Sequence, residues 1–357
     1  MNNTPYAKQP ISSFWRSAVA ERSPNEIGPL WTPKFSIHKG TKIITAGSCF
    51  AQHIGPALAS NGYNWLVTEP PPPKLPEDIA RQHSYLQFSC RTGNIYSPAL
   101  LRQWITWAID SKSPEECWRK GDRFFDPFRP TIEPSGFGSL EELMVCRQTT
   151  LEAFRAALSQ AELLILVLGF TEGWFCRRTN VAYPHCPGIV AGDFNEAHYA
   201  FHRANYNEAR QDLEYSWGAA KSLNPELRLL LAISPVPITA TATNDHVLVA
   251  STHSKSTLRA VAGDLAATDT AIDYFPSFEQ TSSFPFGTSA YNSNLRTISN
   301  SGRLTVMNLL FNSIEQRTAG YNLDPVFVAP PDTNLSQTIA IEDDCEDELL
   351  YSFKSSI

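Results

Sequence analysis

The sequence predicts an α/β protein built as a three-layer sandwich, with a mostly parallel sheet between helices and long loop insertions. Three observations carry that reading. First, four short runs are continuously apolar: Ile43–Ala46, Leu163–Leu168, Leu227–Ile233 and Ile272–Phe275. Unbroken apolar runs this short fit strands buried on both faces better than strands with one wet face. Second, the first three runs each end in a Gly- or Pro-bearing turn, "AGSC", "LGFTEGW" and "SPVP". Third, helical periodicity fills the intervals, as in Leu101–Ile109, Leu151–Leu158 and Leu258–Ala267, the last with Ser254 as the expected N-cap region. Strands alternating with helices indicate a parallel sheet.

The other segments are read in chain order. "NWLVT" (Asn64–Thr68) is a weaker fifth strand candidate. "TEPPPPKLP" (Thr68–Pro76) is a rigid connection, because proline fixes φ and lacks the backbone donor. Trp118–Gly138, rich in aromatics, Pro and charge, reads as an insertion of the lid or binding-loop kind. From about Asp324 the core pattern fades into the acidic "IEDDCEDELL", expected to be a partly disordered or partner-docking tail. The expected organisation is an N-terminal extension over residues 1–30, one α/β domain over 31–320 and the tail over 321–357.

Composition narrows the function classes. A net charge of −7 without a basic stripe argues against nucleic acid or an anionic membrane as partner. The seven cysteines are scattered and form no CxxC pair, which points to reduced thiols in a cytoplasmic protein and away from a disulfide frame or zinc site. No segment approaches the ~20 apolar residues of a membrane span. No cofactor is expected, and the oligomeric state is left open.

The stretch "KIITAGSCFAQHIGPAL" (Lys42–Leu58) carries the chemistry. In an open parallel sheet, ligands bind beyond the carboxyl ends of the strands, so Ser48 and Cys49 sit on the active edge by topology. A helix from about Phe50 would place them at its N-terminus, where unpaired N–H groups favour a thiolate or an oxyanion. Gly47 allows the tight turn. The plainer alternative is an N-capping serine beside a small buried cysteine.

"GSCFA" (Gly47–Ala51), with "RTGNIYSPALL" (Arg91–Leu101), "DPFRPTIEPSGF" (Asp126–Phe137), "LGFTEGW" (Leu168–Trp174), "YPHCPG" (Tyr183–Gly188), "ISPVPITAT" (Ile233–Thr241), "HVLVASTHSKSTLRA" (His246–Ala260) and "DYFPSFE" (Asp273–Glu279), resembles the GSCFA-domain family in eight ordered blocks. That family is regarded as related to the SGNH/GDSL hydrolases. The resemblance implies their flavodoxin-like sheet and an esterase or acyltransferase acting on an ester, with an acylated carbohydrate among the candidate substrates. It aligns Cys49 with the SGNH nucleophile, with Ser48 second, and Gly93, with Asn94 beside it, with an oxyanion-hole glycine. Thr171 falls where the oxyanion-hole asparagine would be. The C-terminal Asp-x-x-His of SGNH enzymes has no counterpart, since Asn294 and Thr297 stand there. A ligand-binding module that has lost catalysis, or a scaffold docking through the acidic tail, is therefore the alternative.

A base must come from elsewhere. His246 follows the "SPVP" strand end within a family block, with Glu279 or Glu172, each just beyond a strand, as its orienter. A plain loop histidine is the competing reading. Arg91, Arg129 and Lys255 are cations within blocks that could clamp a carboxylate or phosphate, or form ordinary ion pairs. His198 and His202, four apart, would share a helix face; a metal there is disfavoured, for no carboxylate ligand accompanies them. Trp118, Phe124, Phe125, Phe128 and Trp174 could line a glycan or acyl pocket or simply fill the core.

Overall fold

The structure, a computed structural model, describes residues 4–319 and Leu350. These fall into two compact units, residues 39–274 with Leu350, and residues 4–38 with 275–319. The expected acidic tail lies outside the described residues, Leu350 apart.

The larger unit is organised by a four-stranded sheet of order β1-β4-β8-β9, formed by Ile43–Gly47 (β1), Leu163–Leu168 (β4), Arg228–Ile233 (β8) and Ile272–Phe275 (β9). β1 and β8 both pair parallel to β4, with Ile43 opposite Leu163 and Leu163 opposite Arg228. Every residue of β1, β4 and β9 is buried, as the unbroken apolar runs require. The weak fifth candidate contributes one bridge, Trp65 to Ile43, beyond β1. Pro70–Pro73 follow at once and cannot extend a ladder. The helices are Ile54–Ser60 (α1), Glu77–Gln82 (α2), Pro98–Asp110 (α3), Leu140–Gln160 (α4), Tyr206–Leu223 (α5) and Val247–Thr268 (α6).

Two smaller sheets are additions. Trp118–Lys120 (β2) and Arg123–Phe125 (β3) form a hairpin, and Glu172–Cys176 (β5) pairs antiparallel with Ala182–Tyr183 (β6) and Tyr199–Arg203 (β7). The latter corrects the expectation for His198 and His202: they lie at and in β7, not on a helix, because "YAFHR" pairs with β5. Nor is Ser254 an N-cap, since α6 begins at Val247 and His246 caps it.

The smaller unit holds Ser277–Ser282 (α7) and Asn300–Thr318 (α8) with the N-terminal 3₁₀ turns. α8 buries Val306, Met307, Leu310, Phe311 and Ile314, a 3–4 residue spacing that gives one apolar face.

The middle of the insertion expected as a lid is core, while residues 119–123 are exposed. Residues 125–130 are all buried, and Asp126 lies between two buried guanidiniums. Arg129 Nε donates to its Oδ2 at 2.8 Å and Arg147 Nη2 to its Oδ1 at 2.9 Å. Burial pushes the Asp126 carboxyl up, but the two cations outweigh it and hold it below the usual carboxylate value. Arg129 also donates to Thr150 Oγ1, which in turn donates to Glu69 Oε1. Removing one partner of such a network strands the others without solvent. Asp126→Asn is therefore expected to lower unfolding free energy by about 3–5 kcal/mol, measured by urea denaturation; a loss below about 1 kcal/mol would contradict this account.

Candidate functional site

Four segments meet where β1 and β4 end. Gly47, the last residue of β1, has φ +138°, and a Cβ there would lie 2.2 Å from Val167 O, so only glycine lets the strands come this close. Ser48 N–H then donates to Val167 O at 2.8 Å. The predicted helix at Phe50 begins instead as a 3₁₀ turn, Cys49–His53, ahead of α1, with Ser48 at its N-cap position.

The second segment is Gly93–Tyr96. Ile95 N–H donates to Gly47 O at 2.8 Å, and Gln52 of the 3₁₀ turn donates to Asn94 Oδ1 at 3.1 Å. The third is the tip of β4. Gly169 N–H donates to Tyr96 O at 2.7 Å, and a Cβ on Gly169 would lie 3.3 Å from Ser48 Cβ and 3.1 Å from Tyr96 Cδ1. The fourth is α6: Lys255 Nζ donates to Gly169 O at 2.6 Å, and Ser254 Oγ accepts the Thr171 N–H at 2.6 Å.

Ser48 and Cys49 are 1% and 2% exposed. The Ser48 hydroxyl makes no hydrogen bond, and its Oγ is not what caps the turn. Such a buried orphan costs about 1–3 kcal/mol and is uncommon enough to call for a reason. Close by, Tyr96 stacks on Phe170 with centroids 4.6 Å apart, and His185 sets its ring edge-on to Tyr96 at 5.8 Å.

Beyond that stack lies a pocket of about 220 Å³ between the loops that follow β4 and β8. Phe170, Trp174, Phe201 and Ile238 line it, with the Glu172 carboxyl, the His185 imidazole and the Cys186 thiol. Glu172 and His185 are buried. Burial raises the Glu172 carboxyl above its usual value, against the hydrogen bond donated by Thr241 at 2.9 Å. An apolar pocket holding a perturbed carboxyl is the usual signature of a binding or catalytic site.

The structure thus brings together Gly47, Ser48, Cys49, Asn94, Thr171 and Lys255, with Glu172 in the adjoining pocket. Gly93 has φ +65° and packs against Arg129. Thr171 spends its N–H and hydroxyl on Ser254, so it is a brace for the β4 tip in this state. His246 is elsewhere: exposed, its Nδ1 accepting the Leu248 N–H. It lies eight residues before Ser254, about 12 Å along a helix at 1.5 Å per residue. Glu279 belongs to α7 in the smaller unit. Arg91 and Arg129 are not ligand clamps here. Arg91 pairs with Glu133 at 2.6 Å and Arg129 with Asp126. Of the aromatics proposed as a pocket lining, Trp174 lines the small pocket, whereas Phe128 is core, stacked on Tyr183.

The sequence reading passed over His185, Tyr96 and Phe170. The signal was present in two family blocks, "YPHCPG" and "RTGNIYSPALL", where a histidine between Pro184 and Cys186 and a tyrosine after Ile95 had no stated role.

Comparison with known proteins adds one finding. The GSCFA family model matches residues 42–309, about three quarters of the chain. The chain belongs to the GSCFA family. The match takes in all four segments of the site, from Gly47 through Lys255. No curated protein matches this chain. Among the described residues, no group of His, Cys, Asp and Glu could hold a metal, and no helix is long and apolar enough to cross a membrane.

The raised Glu172 carboxyl gives a pH-dependent stability. The folded state favours its protonated form, so its contribution is full below the unfolded value near pH 4.3 and is lost as pH rises through the folded value. Glu172→Gln keeps an acceptor for Thr241 and never ionises. It should raise Tm at pH 7 relative to the native chain, with the gap closing below about pH 4. A lower Tm at pH 7 would contradict the assignment.

Proposed function

We propose that this GSCFA protein is an ester-processing enzyme, an esterase or acyltransferase, with Ser48 as nucleophile. The observation that supports it is the unpartnered Ser48 hydroxyl, held at the β1 exit by four converging segments beside a pocket with a buried carboxyl and imidazole. Cys49, favoured by the resemblance, is the second candidate at the same turn. Both are sealed, so substrate entry requires the Tyr96–Phe170 stack to swing aside.

In the reaction, Ser48 Oγ attacks the ester carbonyl and its proton passes to His185. The tetrahedral oxyanion takes donors from the Gly93 N–H and the Asn94 amide, whose oxygen is engaged by Gln52. His185 returns the proton to the leaving alkoxide, giving an acyl-Ser48 and an alcohol. Water, or a hydroxyl acceptor, then attacks the acyl group and frees Ser48. Glu172 orients His185 or holds the acceptor hydroxyl.

One observation favours a second reading, ligand binding without chemistry. Asn294, in the position of the missing acid–base block, accepts hydrogen bonds from the Arg296 N–H and from the N–H and hydroxyl of Thr297, so it closes a local turn. Kinetics on p-nitrophenyl acetate and butyrate decide between the readings. Turnover is expected from the native chain and Cys49→Ala, with a loss of about 100-fold or more in Ser48→Ala and His185→Asn. Full activity in Ser48→Ala would remove it from the mechanism. No turnover by the native chain on any ester would leave the binding reading.

A further inference from the structure

One wall of the small pocket comes from the far end of the chain. Leu350 lines it beside Phe170, Trp174, Ile189 and Ile238, whereas every other lining residue falls between Phe170 and Ala242. Leu350 is half-buried and belongs to the same compact unit as the pocket. The chain between Thr318, the end of α8, and Leu350 is 31 residues long and, extended, spans about 100 Å. A tether of that length does not force Leu350 onto the pocket, so the pocket itself has to hold it.

We propose that the pocket is the docking site of the chain's own C-terminal segment, residues 349–353, anchored by Leu350, and that this contact keeps the protein in an autoinhibited state. The docking stands on its own; the inhibition rests on the proposed ester chemistry.

The two surfaces match. After a run of carboxylates over residues 342–348, the sequence turns apolar at Leu349, Leu350, Tyr351 and Phe353. The lining is mostly apolar, and burial biases its carboxyl, Glu172, toward the neutral form. Among the described residues the lining has no Lys or Arg to draw in the acidic run, so the anchor is hydrophobic. With Leu350 in place about 220 Å³ is left, below the roughly 300–1,000 Å³ of small-molecule sites. Withdrawal of the leucine widens the pocket toward that range. Phe170, whose movement substrate entry requires, shares the lining, so the docked tail takes up space that the ring needs.

The test uses the full chain and a fluorescein-labelled synthetic peptide of residues 346–357, read by fluorescence anisotropy. Leu350→Asp, which frees the pocket, should bind the peptide with a Kd of about 100 µM or tighter. In the native chain the tail competes at an effective concentration on the order of 1 mM, so binding should be about tenfold weaker. Leu350→Ala, the milder change, should bind like Leu350→Asp and guards against a folding defect. A peptide carrying Leu350→Asp should not bind. Ala240→Asp, at an exposed position of the pocket rim, should weaken binding about tenfold when added to Leu350→Asp. Raising NaCl from about 0.05 M to about 0.5 M should not weaken it, because the anchor carries no charge. No binding by either Leu350 variant, equal binding by the native chain, indifference to Ala240→Asp or a tenfold loss in high salt would each overturn the docking. In Leu350→Asp, kcat/KM for p-nitrophenyl butyrate should rise about tenfold, in step with the freed fraction. Docking without that rise would keep the contact and remove the inhibition. Docking with no turnover by any variant would keep the contact and remove the ester chemistry instead.

Discussion

The carboxylate of Asp126, buried between Arg129 and Arg147, is the interaction from which the order of the site derives. Two guanidiniums and a carboxylate out of water are costly unless each finds its partners, and here each does. The network reaches the main chain of Arg91 from both sides. Arg129 Nη1 donates to Arg91 O, and Arg91 N–H donates to Glu69 Oε2. The chain is thereby fixed two residues before Gly93, so Gly93–Tyr96 leave the network in one direction and arrive beside Gly47. A hydrophobic substitute could fill the same volume but could not hold the Arg91 carbonyl.

From there the geometry follows from close packing at two glycines. Gly47 lets β1 end against Val167, and Gly169 lets Ser48 and Tyr96 approach the tip of β4. Any side chain at Gly47 would push the strands apart and carry Ser48 with them. α6 then fastens the β4 tip through Ser254 and Lys255, both buried. The result is a rigid frame around a hydroxyl that has been denied a hydrogen bond. Close by, the Tyr96 and Phe170 rings stack on each other, and the Phe170 N–H donates to Tyr96 O at 3.2 Å. Stiff positioning, with entry past the ring pair, is the arrangement expected where a group must be kept ready and dry.

Much of the frame was legible in the sequence, for a physical reason. Strands such as "LLILVL" are buried on both faces, and only unbroken apolarity satisfies that, so the four main strands were readable to within a residue at either end. β5–β7 escaped because "EGWFC" and "YAFHR" are mixed, half-buried strands, and His202 in the latter stands at helical spacing from His198 just before it. In the site, the β1 exit could be read because topology alone puts it on the active edge. The roles of Arg91 and Arg129 could not be, since a buried arginine paired with Asp126 and one waiting for a phosphate look the same in one dimension. His246 was misjudged by a length: it caps a 22-residue helix whose useful residues, Ser254 and Lys255, come two turns later.

The central claim is that Ser48 is a nucleophile reached by movement of the Tyr96–Phe170 stack. Reaction with a fluorophosphonate, followed by peptide mass mapping, tests it most directly, since the reagent bonds covalently only to an activated hydroxyl. The account predicts a single phosphonyl adduct on Ser48, formed faster in Phe170→Ala, where the stack is lost. An unmodified Ser48 after prolonged exposure in both the native chain and that variant would contradict it.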